Sequence, residues 1–309
     1  MINYYKTENG FMKQIPSYEP NCWLNVISPD ERDVNHLIEQ FSLEPDFIRS
    51  ALDEEESSRI ENEDGTTLII IDVPYVDKKE DNVIYSTMPI GIIVTDKNVI
   101  TVSLRENMIL SEFAEGVVRG VNPALKTQFV LHIILRVCSR YLQYLKQIDR
   151  MSNYLERELR RSMKNKELIR LLDINKSLVY FSTSLKSDEI TLEKMMRGRY
   201  IKLYEEDQDL LEDVLIEIKQ AIEMASIYSN VLSGTTDAFA SIISNNLNIV
   251  MKVLAGITIV ISVPTIISGI YGMNIAGGIP GDGAWWFPII LTVIGMIIAA
   301  LWLKKKQML

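Results

Sequence analysis

Cysteine and histidine are scarce in this chain of 309 residues, which contains two of each. Cys22 and Cys138 stand alone, without the spacing of metal ligands or a disulfide framework. With His36 and His132 as the only histidines, a transition-metal site built on imidazole is not expected. The segment Met1–Lys13 lacks the apolar core of a cleavable signal peptide. No Walker loop, nucleophile elbow or zincin motif occurs, so we expect neither an enzyme nor an organic cofactor.

Charge is nearly absent from the C-terminal part of the chain. Between Val253 and Trp302 the only charged residue is Asp282, although the whole chain has a formal net charge of −9. At about 1.5 Å per residue, the apolar runs Val253–Ile270 and Trp285–Leu303 nearly cross or cross a hydrocarbon core of about 30 Å. We therefore expect two membrane helices joined by a short hairpin. The acidic balance argues against nucleic acid and suits a chain that attracts cations.

One face of the first apolar run, together with the turn before it, carries residues that after Met251 are all small or hydroxylated. They follow alternating steps of three and four residues, and the positions between them are mostly Val, Ile and Leu. We call this set the stripe: Asn248, Met251, Ala255, Thr258, Ser262, Thr265, Gly269 and Gly272. The stripe has two interpretations, and its periodicity favours neither over the other. Small residues allow membrane helices to pack closely, whereas polar groups at membrane depth also line water-filled paths.

The N-terminal part of the chain predicts an α+β domain. Ser28 is expected to cap a helix that continues through Phe41. Pro74 is expected to close the second of four strands, and an Asp-Lys-Asn turn joins the last two. Acidic runs, among them Asp77–Asp81, are expected in loops between elements. The predicted strands are Cys22–Ile27, Thr66–Val73, Ile90–Thr95 and Val99–Leu104.

Long helices are expected from Pro123 onward. Two run from Ala124 to about Lys164 and from Lys166 to about Met196, and a third begins near Leu203 and continues into the first membrane span. The third has an apolar seam at the spacing of coiled-coil packing. The seam includes Leu211, Val214, Ile218, Ala221, Ala225, Tyr228, Leu232, Phe239 and Ile242. We therefore divide the chain into an α+β domain at 1–120, a long-helix stalk region at 121–250 and a transmembrane hairpin with a basic tail at 251–309.

Basic residues predict the orientation of the hairpin. Lys252 precedes the first span, and Lys304, Lys305 and Lys306 follow the second, whereas the predicted hairpin loop has no Lys or Arg. Positive residues favour the cytoplasmic side, so both termini and the α+β domain are expected in the cytoplasm. Pro264 is expected to bend or loosen the first span.

The residues at the outer end of the first span resemble a known family signature. Tyr271-Gly272-Met273-Asn274 stands behind Met251-Lys252-Val253-Leu254 and ahead of a second apolar helix with a basic end. The stretch Leu178–Lys186 also looks like one seen in members of the same family. On these residues the chain resembles the CorA family of magnesium channels. The layout agrees over the whole chain, and the resemblance is specific from about Leu178 onward.

The resemblance implies a funnel-shaped homopentamer in the cell membrane, with the first span innermost. Hydrated Mg²⁺, and Co²⁺ or Ni²⁺ as further candidates, would enter down the membrane potential, and internal Mg²⁺ bound between subunits would close the pore. Asp213 corresponds to a regulatory metal ligand, whose acidic partner on the next subunit is not identified. Gly272, Met273 and Asn274 would form a selectivity mouth. The implied pore-lining residues are Asn248, Met251, Leu254, Ala255, Thr258, Ser262, Thr265 and Gly269.

One position departs from the family pattern, and two other functions stay open. Ser262 stands where a bulky apolar residue is frequent, so Met251 and Leu254 become the candidates for a hydrophobic constriction. The first alternative function is the same fold carrying zinc, cobalt or nickel in either direction. The second is a membrane-anchored coiled-coil scaffold without transport, for which a first span without a polar stripe is expected.

Overall fold

The computed structural model describes residues 1–79, 82–162, 165–198, 200–272 and 286–306. The chain forms two compact units, Met1–Thr236 and Asp237–Leu309. These units meet between Thr236 and Asp237, whereas the predicted borders lie at residues 120 and 250. They stay a prediction.

Within the described residues, seven strands form one mixed sheet in the first unit. The strands are β1 (Ile2–Glu8), β2 (Phe11–Ile15), β3 (Trp23–Ile27), β4 (Arg59–Glu63), β5 (Thr66–Lys79), β6 (Asn82–Val94) and β7 (Val99–Ser103). Their order is β2-β1-β3-β7-β6-β5-β4. The central pair β3 and β7 is parallel, with Trp23 opposite Val99. The other neighbouring pairs are antiparallel.

Seven helices occur in the same described ranges. They are α1 (Glu31–Phe41), α2 (Pro45–Ser50), α3 (Met108–Ala114), α4 (Lys126–Ser162), α5 (Asn165–Met196), α6 (Glu205–Tyr271) and α7 (Phe287–Lys305). Both α6 and α7 contain a stretch that is long and apolar enough to cross a membrane. The predicted order of an α+β domain, long helices and two C-terminal apolar helices is confirmed.

Helices cover both faces of the sheet. Neighbouring residues of a strand point to opposite sides, so a strand with consecutive apolar residues has apolar side chains on both faces. Leu24 and Val26 pack in one core with Leu37 of α1 and Ile48 of α2. Trp23 points the other way. Its ring lies 5.5 Å from the ring of Phe129 on α4 and 6.5 Å from that of Phe113 on α3, measured between centroids. The first unit is therefore a three-layer α/β/α arrangement.

The cap of α1 differs from the prediction. Asp30 rather than Ser28 is the N-cap, and its Oδ1 accepts a hydrogen bond of 2.7 Å from the main-chain N–H of Asp33. Ser28 has a φ of 44° and donates its hydroxyl to the carbonyl of Leu104 at 2.6 Å. The Ser28 side chain is therefore engaged with the end of β7, which leaves the cap to the next polar residue of suitable type.

The prediction that Pro74 closes its strand is wrong. β5 continues through Pro74, which lies opposite Thr87, and on to Lys79, so Asp77 belongs to the strand rather than to a loop. On the other side of β5, the pairing with β4 reaches only as far as Ile70, opposite Arg59, the first residue of β4. From there onward β5 has a free edge. A proline is tolerated on a free edge because its missing N–H removes no ladder hydrogen bond.

The long helix α6 agrees with the prediction of one helix that enters the first apolar run. Much of its predicted apolar seam is buried within the first unit. In the second unit Phe239 is 4% exposed and Ile242 is 43% exposed. The buried members of the seam in the first unit are Leu211, Val214, Ile218, Ala221, Ala225 and Leu232. Pro264 lies inside α6, which continues for seven residues beyond it to Tyr271.

Candidate functional site

The predicted pore-lining residues all belong to α6 and fall within its described length. Asn248, Met251, Leu254, Ala255, Thr258, Thr265 and Gly269 are exposed, and Ser262 is half-buried. Met251 and Leu254 expose 57% and 56% of their surface. Large apolar side chains at such exposure in an apolar helix require lipid or another copy of the chain to cover them. The single chain therefore leaves this face of α6 uncovered.

The second span packs behind the stripe rather than on it. Gly295 of α7 lies against Val263 and Ile267 of α6. At 3.6 residues per turn, these two residues lie about 150° around the helix from the middle of the Thr258, Ser262 and Thr265 set. A Cβ added at Gly269 would meet no atom within 4 Å. Close packing inside the hairpin therefore does not account for the stripe, which leaves contact with other copies or a water-filled path.

The hydroxyl groups of the stripe share one hydrogen-bonding arrangement. Thr258 donates to the carbonyl of Leu254 at 2.9 Å, and Ser262 donates to the carbonyl of Thr258 at 2.8 Å. Thr265 donates to the carbonyl of Ile261 at 3.4 Å. Each hydroxyl thus directs its hydrogen to its own helix and keeps oxygen lone pairs as acceptors. The surface so formed accepts hydrogen bonds and carries no carboxylate.

The structure places one of the three residues of the predicted mouth. Gly272 follows the last residue of α6, and its N–H donates to the carbonyl of Ser268 at 2.8 Å. Met273 and Asn274 lie outside the described residues. The ring of Tyr271 lies 6.5 Å from the ring of Phe287 between centroids, so the end of α6 is close to the start of α7.

The basic residues lie at the start of the first apolar stretch and at the end of the second. Lys252 is exposed on α6 immediately before the first stretch. Lys304 and Lys305 occupy the last turn of α7, and Lys306 is its C-cap residue. All four are exposed, as expected for side chains that reach the polar surface of a bilayer.

Asp213 is exposed on α6, between the buried side chains of Leu211 and Val214. Its neighbour Glu212 is exposed as well. In the part of the chain that the structure describes, no group of three or more His, Cys, Asp or Glu residues is arranged to hold a metal ion. A regulatory ion at Asp213 would therefore need ligands from a second subunit.

A buried carboxyl group was not singled out by the sequence analysis. Asp188 of α5 is 2% exposed, and its Oδ1 accepts hydrogen bonds from the hydroxyl of Ser58 at 2.6 Å and the main-chain N–H of Asp72 at 2.9 Å. Burial, and then the nearby Asp72 carboxylate, raise the pKa of Asp188 well above its usual value. The sequence could have indicated that Asp188 is buried, because it lies four residues after Ser184 and three before Thr191, on the buried face of α5.

Together these features define a class of membrane protein, in which an α/β domain and long helices precede two C-terminal membrane-spanning helices. Residues 19–305 match the family described as CorA-like Mg2+ transporter protein. The chain belongs to that family.

Curated relatives and solved structures agree with this assignment. Over 290 residues the chain is 26% identical to the cobalt/magnesium transport protein CorA of Methanocaldococcus jannaschii, covering 89% of this chain and 87% of the relative. The protein of the same name from Thermotoga maritima is 23% identical over 293 residues, with 93% and 83% covered. The complete structure of the CorA magnesium transporter from Methanocaldococcus jannaschii matches the fold with a TM-score of 0.78, at 22% identity, over 99% of this chain and 96% of that one.

Proposed function

We propose that copies of this chain form a channel through which hydrated Mg²⁺ enters the cell. The observation that carries the proposal is the stripe on α6, which is exposed on the side away from α7 and offers hydroxyl oxygens as acceptors. One two-helix hairpin cannot enclose a path, so several copies must surround an axis. A homopentamer with α6 innermost is the assembly that the family resemblance implies.

The acceptor character of the stripe suits a hydrated cation. Mg²⁺ loses its water reluctantly, and the bound water molecules point their hydrogens outward. The hydroxyl oxygens of Thr258, Ser262 and Thr265 accept such hydrogens, because their own hydrogens are engaged within the helix. A ring of carboxylates would bind the ion more strongly and release it more slowly. The neutral stripe therefore supports passage with the hydration shell in place.

The outer end of α6 supplies the proposed selectivity mouth. Gly272 directly follows the last residue of α6, and Met273 and Asn274 follow it in the sequence. A ring of Asn274 amide oxygens and main-chain carbonyls from the assembled copies would face the entering ion. Oxygen ligands of this kind suit Mg²⁺.

The membrane potential is sufficient to drive inward flow. With Lys252 and Lys304–Lys306 at the cytoplasmic surface, both termini and the α/β domain lie inside the cell. Moving the two charges of Mg²⁺ inward releases about 4.6 kcal/mol per 100 mV. No fuel-binding site is needed for this direction.

Closure is assigned to internal Mg²⁺ and to an apolar constriction. Asp213 is exposed and, among the described residues, belongs to no group of three or more potential metal ligands, which suits an ion shared between neighbouring subunits. Met251 and Leu254 project from the stripe face of α6 and would form the apolar narrowing. Ser262 is too small and polar for that role.

Two other functions are less well supported. The two curated relatives are named as transporting cobalt and magnesium, which favours these ions over zinc for this chain. A scaffold without transport predicts no polar stripe on the first span. The exposed hydroxyl groups of α6 therefore disfavour the scaffold without transport.

Ion uptake by purified protein in liposomes tests the proposed function. With a potential negative inside, we expect Mg²⁺ uptake, with Co²⁺ as a second permeant ion and Zn²⁺ excluded or weak. Protein-free liposomes provide the background. Uptake of Zn²⁺ without Mg²⁺ would assign the chain to the zinc alternative, and uptake of no ion would favour the scaffold.

A further inference from the structure

The second span approaches the first most closely at a glycine. A Cβ added at Gly295 of α7 would lie 2.8 Å from Cγ1 of Val263 and 3.8 Å from Cδ1 of Ile267 on α6. The first distance is shorter than real contacts between carbon atoms, whereas the second is ordinary van der Waals contact. Val263 cannot easily turn aside, because a β-branched side chain in a helix has one strongly preferred rotamer. Hydrogen is therefore the largest group that fits at position 295 without moving α6.

The same two helices have a second small residue in the complementary position. Tyr271 lies close to Phe287. Val263, eight residues before Tyr271, lies against Gly295, eight residues after Phe287, so the helices run antiparallel. Gly256 precedes Val263 by seven residues and Leu303 follows Gly295 by eight, which places them at about the same level. Among the described residues 240–272 and 286–306, Gly256 and Leu303 are the buried ones. Burial of a glycine and a leucine at the same level is expected where small residues let two membrane helices approach closely.

The contact lies beside a weak point of the first span. Val263 is followed by Pro264, which has no N–H to donate to the carbonyl of Val260 one turn earlier. The α6 backbone has one hydrogen bond fewer at this level, so it bends more easily there than elsewhere. The position of α6 at this level therefore depends on its packing against α7.

We propose that Gly295 is a positioning residue for ion flow, because its lack of a side chain lets α6 sit back against α7 beside Pro264. A side chain at position 295 pushes Val263 away from α7. The stripe lies about 150° around α6 from this contact, so the push moves the stripe in the direction it faces. This inference rests on the proposed function, in which the stripe faces the pore axis. A side chain added at position 295 would then narrow the ion path.

Mg²⁺ uptake by four proteins in liposomes tests the inference: the wild type, Gly295→Ala, Val263→Ala and the double variant. Gly295→Ala should lower uptake by about tenfold, since overpacking a close contact costs enough to shift an equilibrium by that factor. Adding Val263→Ala removes the clashing Cγ1 atom. The double variant should therefore recover to the level of Val263→Ala alone.

Two matched variants separate positioning from general damage. Gly234→Ala on α6 adds a Cβ that meets no atom within 4 Å, and it should keep wild-type uptake. Ile267→Ala removes an atom that makes only ordinary contact, so it should not rescue Gly295→Ala. Size-exclusion chromatography shows whether each variant assembles.

Normal uptake by Gly295→Ala overturns the inference. If Gly295→Ala fails to assemble, rescue of assembly and uptake by Val263→Ala supports the inference, and absence of rescue overturns it. Rescue by Ile267→Ala as well would show that any cavity suffices, which also overturns it. A wild type that takes up no Mg²⁺ contradicts the proposed function, whereas the other results leave that function in place.

Discussion

The main-chain N–H of Asp72 on β5 donates a hydrogen bond of 2.9 Å to the Asp188 carboxylate on α5. The carbonyl of Asp72 accepts a hydrogen bond of 3.1 Å from the hydroxyl of Tyr141 on α4. These bonds occur just beyond Ile70, where the neighbouring strand β4 has ended. Side chains from two helices thus satisfy main-chain groups that a strand would otherwise pair, and they attach both helices to the sheet.

We expect Asp188→Asn to remove part of the pH dependence of stability. The pKa of Asp188 is raised in the folded state, by burial first and by Asp72 second. The folded chain therefore keeps a proton that the unfolded chain releases above about pH 3.9. Stability falls as pH rises from that value through the folded-state pKa. Asparagine keeps the acceptor oxygen and does not titrate. The unfolding free energy of Asp188→Asn should therefore vary less over this pH range than that of the wild type.

Urea denaturation of the detergent-solubilised protein between pH 4 and pH 8 measures this effect. The groups that face Asp188 are Asp72 on β5 with Tyr141 and Cys138 on α4, and burial raises the pKa of each of them. Asp72 therefore retains a slope of the same sign. Asp188→Leu provides the contrast, because it leaves Ser58 and the Asp72 N–H without their acceptor and should cost about 1–3 kcal/mol per group. An unchanged slope in Asp188→Asn would show that Asp188 does not titrate in this range.

Membrane topology is predicted by the four lysines at the ends of the spans. Gly283→Cys should react with an impermeant maleimide added outside intact cells, and Leu309→Cys only after permeabilisation. Both positions lie outside the described residues. The native Cys22 and Cys138 are buried and should give little background. The reverse pattern would contradict the orientation and the inward direction of flow.

The constriction is predicted at the cytoplasmic part of the first span. Met251→Ala combined with Leu254→Ala should raise Mg²⁺ flux severalfold at high internal Mg²⁺, because the two apolar side chains no longer narrow the path. Ser262→Ala should change flux little. Radiotracer or dye-based flux in liposomes checks both. A large leak from Ser262→Ala alone would place the constriction at that level instead.

The regulatory role of Asp213 is tested by a charge reversal. Mg²⁺ bound between subunits stabilises the closed arrangement by mass action. Asp213→Lys removes a ligand and supplies a fixed positive charge. It should therefore keep the protein folded and shift the internal Mg²⁺ concentration for half-closure by about tenfold, within the usual range of coupling between sites. Protection of the protein from protease by added Mg²⁺ should weaken in parallel.

A second charge reversal on the same helix is the control for Asp213. Glu223 is also exposed on α6 and lies about 80° around the helix from Asp213. Glu223→Lys should leave the Mg²⁺ response unchanged, and a solvated carboxylate contributes no more than about 0.5 kcal/mol to stability. If Mg²⁺ closes Asp213→Lys at wild-type concentrations, Asp213 is a surface charge and the sensor lies elsewhere.

The sequence predicted the fold best where a stretch is mostly buried or apolar along its length. Apolar, β-branched runs marked β3, β7 and the mostly buried parts of β5 and β6, at 66–73 and 90–94, and the long apolar pattern marked α6. The part of β6 before Ile90, from Asn82 onward, was not predicted. Strands β1, β2 and β4 were missed because they lie towards the sheet edges and carry polar residues such as Lys6, Lys13 and Glu61. Their strand character comes from pairing with neighbours, which local sequence does not encode.

Spacing predicted the stripe, because residues three and four apart share a face of any helix. The hydroxyl bonds that leave acceptors on its surface depend on side-chain rotamers. The position of α7 behind the stripe depends on how Gly295 meets Val263, a contact between residues 32 positions apart. Neither follows from periodicity alone.

The central claim is that assembled copies conduct Mg²⁺ through a mouth that contains Asn274. Its most direct test is Mg²⁺ uptake into liposomes by purified Asn274→Ala, compared with the wild type and with Asn245→Ala, an exposed amide on α6 outside the stripe. We expect Asn274→Ala to assemble normally and to lower uptake to the level of protein-free liposomes, while Asn245→Ala conducts like the wild type. Wild-type uptake by a fully assembled Asn274→Ala protein would contradict it, and would leave Asn274 as a residue that only ends the helix.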